Sequence, residues 1–232
     1  MKWFLTIAVA LLVVCCGAPK PAQPAAQPPA AQPPQAANPA QPAAPADTAA
    51  KSATPPPAAK GMLKDTLVAT NLPENLYLTI KVKDYGTMKI QLYTKDAPKN
   101  VTNVANLGIK GFYNGLTFHR LIPGFMIQGG DPSGDGTGGP GYTVPAEIKR
   151  RHDKGSMAMA RTGDQVNPER RSSGSQFYIC FQPTPQLDGQ YTVIGQVVEG
   201  LDVLAKLETV KTGAMDKPVT PVVMEKVTVS TE

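Results

Sequence analysis

The chain has 232 residues and a formal net charge of +5 at pH 7, yet charged residues make up only 18% of it. Because no dense basic run accompanies the positive charge, the sequence does not predict nucleic-acid binding. The cysteines are Cys15, Cys16 and Cys180, so a domain that begins after Cys16 cannot form an internal disulfide. With His119 and His152 as its two histidines, the chain is not expected to hold a structural zinc ion, and no metal or cofactor is predicted.

Residues 1–16 are predicted to be a targeting segment. Lys2 supplies a positive charge, residues 3–14 form an apolar run with Thr6 as its one polar residue, and Cys15 and Cys16 follow it. The run is shorter than the roughly 20 apolar residues that a membrane-spanning helix needs, and it is typical of the apolar core of a secretory signal. A cysteine directly after such a run resembles a bacterial lipoprotein signal, in which the cysteine is acylated. We expect lipidation at Cys16, which the small Cys15 precedes, or at Cys15 itself. An ordinary cleaved signal with incidental cysteines is the alternative.

Residues 17–61 are dominated by Pro, Ala and Gln and contain hardly any large apolar side chain. Such a segment cannot bury enough surface to offset the entropy lost on ordering. We therefore predict a disordered tether with extended polyproline character. Together with the lipidation site, the tether predicts a domain anchored by an N-terminal lipid to a membrane of the bacterial cell envelope. The domain would face the periplasm or the cell exterior.

Residues 62–232 are the size of one ordinary domain. Apolar and polar side chains alternate along residues 76–82 and again along 88–92, on either side of a turn at 84–86. This alternation predicts an antiparallel hairpin with one buried face.

Pro98 opens a predicted helix that turns Val101, Val104 and Ala105 inwards. Further elements are predicted as strands around residues 117–121, 125–129, 156–160, 176–181 and 192–198, a helix at 201–210 and a last strand at 222–229. Many short strands separated by Gly/Pro turns, with two helices, predict a mainly β fold built as an antiparallel barrel with capped ends.

Residues 118–131, FHRLIPGFMIQGGD, place Arg120 close to Phe125 and Met126. Rotation about an X–Pro bond faces a barrier of about 20 kcal/mol, because amide resonance is broken in the twisted state. An apolar pocket for the proline ring and a donor that stabilises the twisted amide would lower this barrier without a nucleophile, metal or cofactor. Arginine suits the donor role because its guanidinium stays charged and presents a rigid fork of N–H groups. Taken alone, an arginine near two core residues is more often a surface ion pair.

Two further blocks follow, residues 174–181 (GSQFYICF) and 187–195 (LDGQYTVIG). In order and approximate spacing, the three blocks resemble the cyclophilin-type peptidyl-prolyl isomerases, over about residues 76–229. The resemblance implies a closed eight-stranded antiparallel barrel with a helix over each opening. It also implies a monomeric peptidyl-prolyl cis-trans isomerase that assists the folding of extracytoplasmic, proline-containing polypeptides. A proline-peptide binding module or holdase with incidental turnover is the alternative, although binding a planar prolyl peptide does not need Arg120.

The resemblance also implies roles for individual residues. Arg120 would be the catalytic donor, and Gln128 would hold the substrate backbone or orient Arg120. Ala160 and Arg161 would supply main-chain contacts to the residues before the proline, with Gln176 nearby. The proline pocket would be lined by Phe125, Met126, Tyr178, Leu187 and Tyr191.

Three positions depart from the best-known eukaryotic pattern of this family. Arg161 stands where asparagine is usual, which matters little if only its backbone is used. Tyr191 replaces a histidine and can still pack a ring against the proline. Gln186 replaces a tryptophan, so we expect weak binding of cyclosporin, the cyclic peptide inhibitor of the family. Residues 162–173 are also long and charged and predict an exposed loop beside the groove, while Cys180 is predicted to be a small core residue.

Overall fold

The computed structural model describes residues 62–232. The targeting segment predicted at residues 1–16, with Cys15 and Cys16, and the tether predicted at residues 17–61 lie outside the described residues. Within residues 62–232, no helix is both long enough and apolar enough to cross a membrane.

The described part of the chain is mainly β. In chain order its elements are β1 (Tyr77–Val82), β2 (Gly86–Leu92), α1 (Pro98–Ile109), β3 (Thr117–Ile122), β4 (Met126–Gly129), β5 (Thr143–Val144), β6 (Ser156–Met159), β7 (Ser172–Ser173), β8 (Phe177–Cys180), β9 (Val193–Glu199), α2 (Leu201–Glu208) and β10 (Val222–Ser230). Short 3₁₀ turns lie at Pro185–Leu187 and Ala214–Asp216.

The barrel closes in the order β1-β10-β3-β4-β8-β6-β9-β2, and every neighbouring pair is antiparallel. This confirms the predicted eight-stranded closed barrel. A separate two-stranded ribbon of β5 and β7 was not predicted, because strands of two residues are too short to show an alternation of side chains.

The first hairpin shows how the sequence builds this barrel. β1 pairs with β2 so that Ile80 lies opposite Met88, and both side chains are fully buried in the core. Asp84 and Gly86 turn the chain with positive φ angles of 67° and 126°, a conformation that glycine adopts without steric cost. The predicted turn and buried face are therefore confirmed.

Helix α1 begins at Pro98 and packs its predicted inner face, with Val101, Val104 and Ala105, into the core. Gly108 permits a close approach, because a Cβ atom there would lie 3.0 Å from a methyl carbon of Val229 in β10. The helix thus packs against the barrel wall formed by β1 and β10.

Helix α2 buries Val203, Leu204 and Leu207, as expected from the sequence. Val203 lies against the turn between β1 and β2, where a Cβ on Gly86 would come within 2.9 Å of it. Since α1 contacts Leu78 near the start of β1, the two helices pack at opposite ends of the first hairpin. Both predicted capping helices are present.

Four adjoining strands, β3, β4, β8 and β6, form the wall that carries the candidate site. Their registers pair Arg120 with Gln128, Gln128 with Tyr178, and Tyr178 with Ala158. Because alternate side chains of a strand point to opposite faces, these four residues form one row on the outer face. Their neighbours along the strands, Leu121, Ile127, Ile179 and Met157, fill the barrel core.

Candidate active site

Arg120 lies at one end of the outer row, and its side chain keeps 29% of its surface exposed. Its Nε donates to Asp216 Oδ2 at 3.3 Å, and the guanidinium makes no other hydrogen bond or ion pair with residues 62–232. Asp216 lies in the segment after α2, 96 residues further along the chain, and no sequence pattern pointed to it. The terminal nitrogens of Arg120 therefore remain available on the outer face.

Gln128 is paired in register with Arg120, but its side chain binds elsewhere. Its Nε2 donates to Gln176 Oε1 at 2.9 Å, and Gln176 Nε2 in turn donates to the carbonyl oxygens of Gly136 and Gly138 at 2.9 and 2.7 Å. Gln128 was predicted either to hold the substrate backbone or to orient Arg120. Its side chain makes no hydrogen bond with Arg120 in this structure, so the structure does not support direct orientation. The amide is instead held in a fixed position beside Arg120.

A second apolar cluster covers the outer face of the same wall. We call it the outer cluster; its members are Met126, Ala158, Tyr178, Cys180 and Val193, with Tyr93, Ile122, Phe125, Ala160, Leu187 and Tyr191 packed against them. All the predicted pocket residues belong to it. Several of its members, among them Phe125, Leu187 and Tyr191, are only partly buried, so the cluster can still receive an apolar group.

Cys180 also belongs to the outer cluster. It is fully buried, as expected, but against the outer wall and not inside the barrel. Burial raises the pKa of its thiol to about 11, against a smaller opposing effect of the hydrogen bond with Thr184. The thiol therefore stays protonated and inert at neutral pH.

The aromatic side of the outer cluster is fixed by a chain of hydrogen bonds that the sequence did not reveal. Asp188 Oδ1 lies 2.8 Å from His152 Nδ1, and His152 Nε2 lies 3.0 Å from the hydroxyl of Tyr178. The Tyr178 ring meets the Tyr191 ring edge-on at 5.8 Å. With Nδ1 donating to the carboxylate, Nε2 accepts from the tyrosine, so both rings of the pocket floor are held in place.

The pKa of the Asp188 carboxylate, which begins this series of hydrogen bonds, is lowered from its usual value. Burial alone would raise the pKa of Asp188, but hydrogen bonds from the ring and backbone N–H of His152 and the charge of Arg151 hold it below its usual value. Burial also raises the pKa of Tyr178 well above its usual value. The described residues bring together no group of three or more His, Cys, Asp or Glu side chains that could hold a metal ion.

The site thus combines a partly buried arginine with an apolar cluster on the same outer face of the barrel. Comparisons with known proteins agree with this geometry. The family model described as cyclophilin type peptidyl-prolyl cis-trans isomerase/CLD matches residues 77–229. The chain is a member of the cyclophilin-type peptidyl-prolyl cis-trans isomerases. It is accordingly an isomerase enzyme.

Individual relatives support the same assignment. The chain is 45% identical over 142 residues to a peptidyl-prolyl cis-trans isomerase of Helicobacter pylori, covering 59% of this chain and 83% of the relative. It is 52% identical over 112 residues to one of Synechococcus elongatus, covering 48% of this chain and 73% of the relative.

Solved structures share the fold. A crystal structure of a Cryptosporidium parvum cyclophilin type peptidyl-prolyl cis-trans isomerase matches with a TM-score of 0.62 at 32% identity, covering 66% of this chain and 96% of that chain. A crystal structure of the same isomerase in the presence of the dipeptide Ala-Pro matches with a TM-score of 0.61 at 31% identity, covering 66% and 98%.

Arg161 packs beside Tyr191, whose ring meets that of Tyr178 in the row. Its side chain is only 4% exposed, donates from Nε to the carbonyl of Gln190 at 2.9 Å, and lies 4.7 Å from the centroid of the Tyr191 ring. The main chain of Ala160 is already used, because its N–H donates to Gln176 and its carbonyl accepts from Ser173. Of the two predicted backbone contacts, Arg161 is therefore the one whose main-chain groups have no partner among the described residues.

The predicted loop at residues 162–173 lies beside the turn that follows the pocket. Asp164 pairs with Arg161 at 2.5 Å and with Arg170 at 3.1 Å, and Arg170 Nη1 donates to the carbonyl of Gly189 at 2.9 Å. The end of the loop forms β7 of the small ribbon. Gln186, at the position where the resemblance to eukaryotic members implied a tryptophan, is exposed on the 3₁₀ turn next to Leu187.

Proposed function

We propose that this isomerase accelerates rotation about X–Pro bonds of extracytoplasmic polypeptides and so assists their folding, while an N-terminal lipid holds it, as a monomer, at a bacterial membrane. The isomerase activity follows from family membership. Because uncatalysed X–Pro exchange takes tens to hundreds of seconds, it is slow enough to limit folding. The location is supported by the targeting pattern of residues 1–16 and by the composition of residues 17–61.

One observation carries the catalytic proposal: Arg120 shares the outer face of β3 with Ile122, a member of the outer cluster. A proline ring seated on that cluster would place its amide nitrogen near the guanidinium. In the twisted state the nitrogen regains its lone pair, and a guanidinium N–H can donate to it, whereas the planar amide nitrogen offers no such acceptor. The interaction therefore stabilises the transition state more than the ground state.

The proline ring would sit among Phe125, Met126, Tyr178, Leu187 and Tyr191. Their partly exposed apolar surfaces gain from excluding water, at about 25 cal/mol per Å² of apolar area buried. The Ala-Pro dipeptide named with the Cryptosporidium relative supports a proline site in the family. On the far side of the row, the main chain of Arg161 would bind the residues that precede the proline.

The catalytic proposal is tested by Arg120→Ala in the full-length protein, with Arg171→Ala as the matched control. Arg171 is a partly exposed arginine whose side chain binds Thr143 in the ribbon. We expect kcat/KM for a prolyl peptide to fall by about a hundredfold or more in Arg120→Ala, equivalent to roughly 2.7 kcal/mol of transition-state stabilisation. The control should retain parental activity, and a similar retention in Arg120→Ala would refute the donor role.

The location is tested by metabolic labelling with a fatty-acid analogue. We expect the parent chain to carry the label and the variant with both Cys15→Ser and Cys16→Ser to lose it. The single changes then identify the modified cysteine. An unlabelled parent, or a label that persists in the double variant, would exclude lipid anchoring at these residues.

A further inference from the structure

A short hairpin after α2 places a carboxylate on the proposed catalytic arginine. Its two arms are joined by hydrogen bonds from Val219 N to Lys211 O at 2.9 Å and from Gly213 N to Lys217 O at 2.8 Å. The turn between them, Ala214–Asp216, carries Asp216 at its end. The hairpin thus closes on its own backbone, and its shape does not depend on the contact between Asp216 and Arg120.

The tip of this hairpin has an unusual conformation. Met215 and Asp216 have φ angles of 59° and 58°, in the left-handed region that residues other than glycine adopt at a cost. The Met215 side chain is 84% exposed. Backbone strain of this kind often lies at functional sites, so the tip that directs a carboxylate at Arg120 is a candidate for contact with a substrate.

The two neighbouring charged residues of the tip, Asp216 and Lys217, lie against different parts of the surface. Asp216 contacts Arg120 on the groove side, while the next residue, Lys217, lines a separate depression of about 230 Å³ together with His119 and Ser133. The Asp216 side chain remains 45% exposed, and one carboxylate oxygen and one guanidinium nitrogen make the contact. The carboxylate can therefore hold Arg120 and attract a second positive charge at the same time.

We propose that Asp216 is a specificity-determining residue, which makes this isomerase prefer polypeptides with a basic side chain just after the proline and disfavour acidic ones. The inference rests on the proposed function. If Arg161 binds the residues before the proline, the chain after the proline leaves the groove past Arg120 and the tip that carries Asp216. A lysine or arginine there meets an exposed carboxylate, and a glutamate meets a like charge.

The test measures kcat/KM of the full-length protein at low ionic strength, where surface charges are least screened. The substrates are matched peptides with Lys, Gln or Glu directly after the proline, and a second series carries the same changes two residues before it. The variant is Asp216→Asn. The controls are Asp202→Asn, which removes an equal charge from an exposed ion pair within α2, and Lys217→Gln on the other side of the tip.

In the parent we expect the Lys peptide to exceed the Glu peptide by about three- to tenfold, the range that attraction and repulsion by one partly exposed charge support. The ratio should fall to within about twofold in Asp216→Asn and stay at its parental value in both controls. The second peptide series should show no comparable ratio. A parent without preference, an unchanged ratio in Asp216→Asn, or an equal loss in Asp202→Asn would overturn the proposal.

Failure of the inference and failure of the proposed function give different results. If Arg120→Ala loses activity while Asp216→Asn keeps the charge preference, the specificity role alone is wrong. If Arg120→Ala keeps normal activity, the donor role is wrong whatever Asp216 does. A rate lowered equally for all three peptides in Asp216→Asn would mean that Asp216 only positions Arg120, and this too would overturn the specificity role.

Discussion

In the proposed mechanism, the guanidinium of Arg120 serves two partners, the carboxylate of Asp216, which it contacts in the structure, and a substrate amide. The ion pair is partly exposed on both sides, with 29% of the Arg120 side chain and 45% of the Asp216 side chain accessible. Pairs of this kind contribute only about 0–1 kcal/mol, because water competes for both charges. The pair is therefore strong enough to restrict Arg120 to the groove, yet weak enough to leave its terminal nitrogens free to bind a substrate.

Replacement of Gln186 is predicted to change inhibitor binding. Gln186 is exposed beside Leu187 of the pocket, and a glutamine offers less apolar area than a tryptophan and costs more to desolvate. We expect Gln186→Trp to bind cyclosporin at least about tenfold more tightly than the parent, or roughly 1.4 kcal/mol. Titration of activity with the inhibitor measures this. Nanomolar inhibition of the parent, or no gain in the variant, would show that another position governs affinity.

Some residues of the candidate site could be predicted from the sequence, and others could not. Arg120 and the pocket residues are found within three short blocks of the sequence, so a resemblance could name them all. His152 and Asp188 lie 36 residues apart, and Asp216 lies 96 residues from Arg120. No local pattern marks such pairs, because their contacts arise only when the barrel closes.

At the scale of elements, the register between strands creates the site. Arg120 and Gln128 lie in one sequence block, whereas Tyr178 and Ala158 come from strands farther along the chain, and antiparallel pairing places all four in one row. The first hairpin was predictable, since alternation of apolar residues along β1 and β2 shows which face is buried, whereas β6 and β8 are buried at every position. The family resemblance implied that eight strands close into a barrel, but the order of the strands was not predicted, because periodicity does not encode which strands become neighbours.

The 3₁₀ turn at Pro185–Leu187 is held to the pocket by Asp188, and this link is predicted to depend on pH. Interactions that depress a folded-state carboxyl pKa stabilise the fold above the unfolded-state pKa, near 3.8 for aspartate, and this stabilisation is lost as pH falls through the lower folded value. Thermal unfolding of the parent and of Asp188→Asn should therefore differ at neutral pH. The difference should shrink in strong acid, and a difference independent of pH would contradict the assigned role.

At the scale of the whole molecule, the start of the described region is part of the fold. Met62 bridges to Ser230, and Leu63 N donates to the carbonyl of Val229 at 2.9 Å. Leu67 exchanges two hydrogen bonds with the Asn106 side chain, at 2.7 and 2.9 Å. This arm joins β10 and α1, and it follows directly on the tether predicted at residues 17–61, so the boundary at residue 62 stays a prediction.

Two truncations test this boundary. Removal of residues 1–61 should leave the free energy of unfolding and the isomerase activity of the domain unchanged, because the core lies within residues 62–232. Removal of residues 1–72 should lower the stability by roughly 2–4 kcal/mol, since apolar contacts of Leu63, Leu67 and Leu72 and several hydrogen bonds are lost. Urea unfolding measures both, and equal stability of the two truncated chains would refute a structural role of the arm.

The central claim is that Arg120 acts on the twisted state of the prolyl amide and not merely on binding of the planar peptide. Arg120→Lys tests it most directly, because the positive charge is kept while the rigid fork of donors is lost. The measurement pairs the catalysed cis/trans exchange rate of a prolyl peptide, followed by NMR, with the Kd of the same peptide. We expect kcat to fall by about tenfold or more while Kd changes by less than about threefold. A Kd that weakens as much as the rate falls, or a rate that stays at the parental value, would contradict the account.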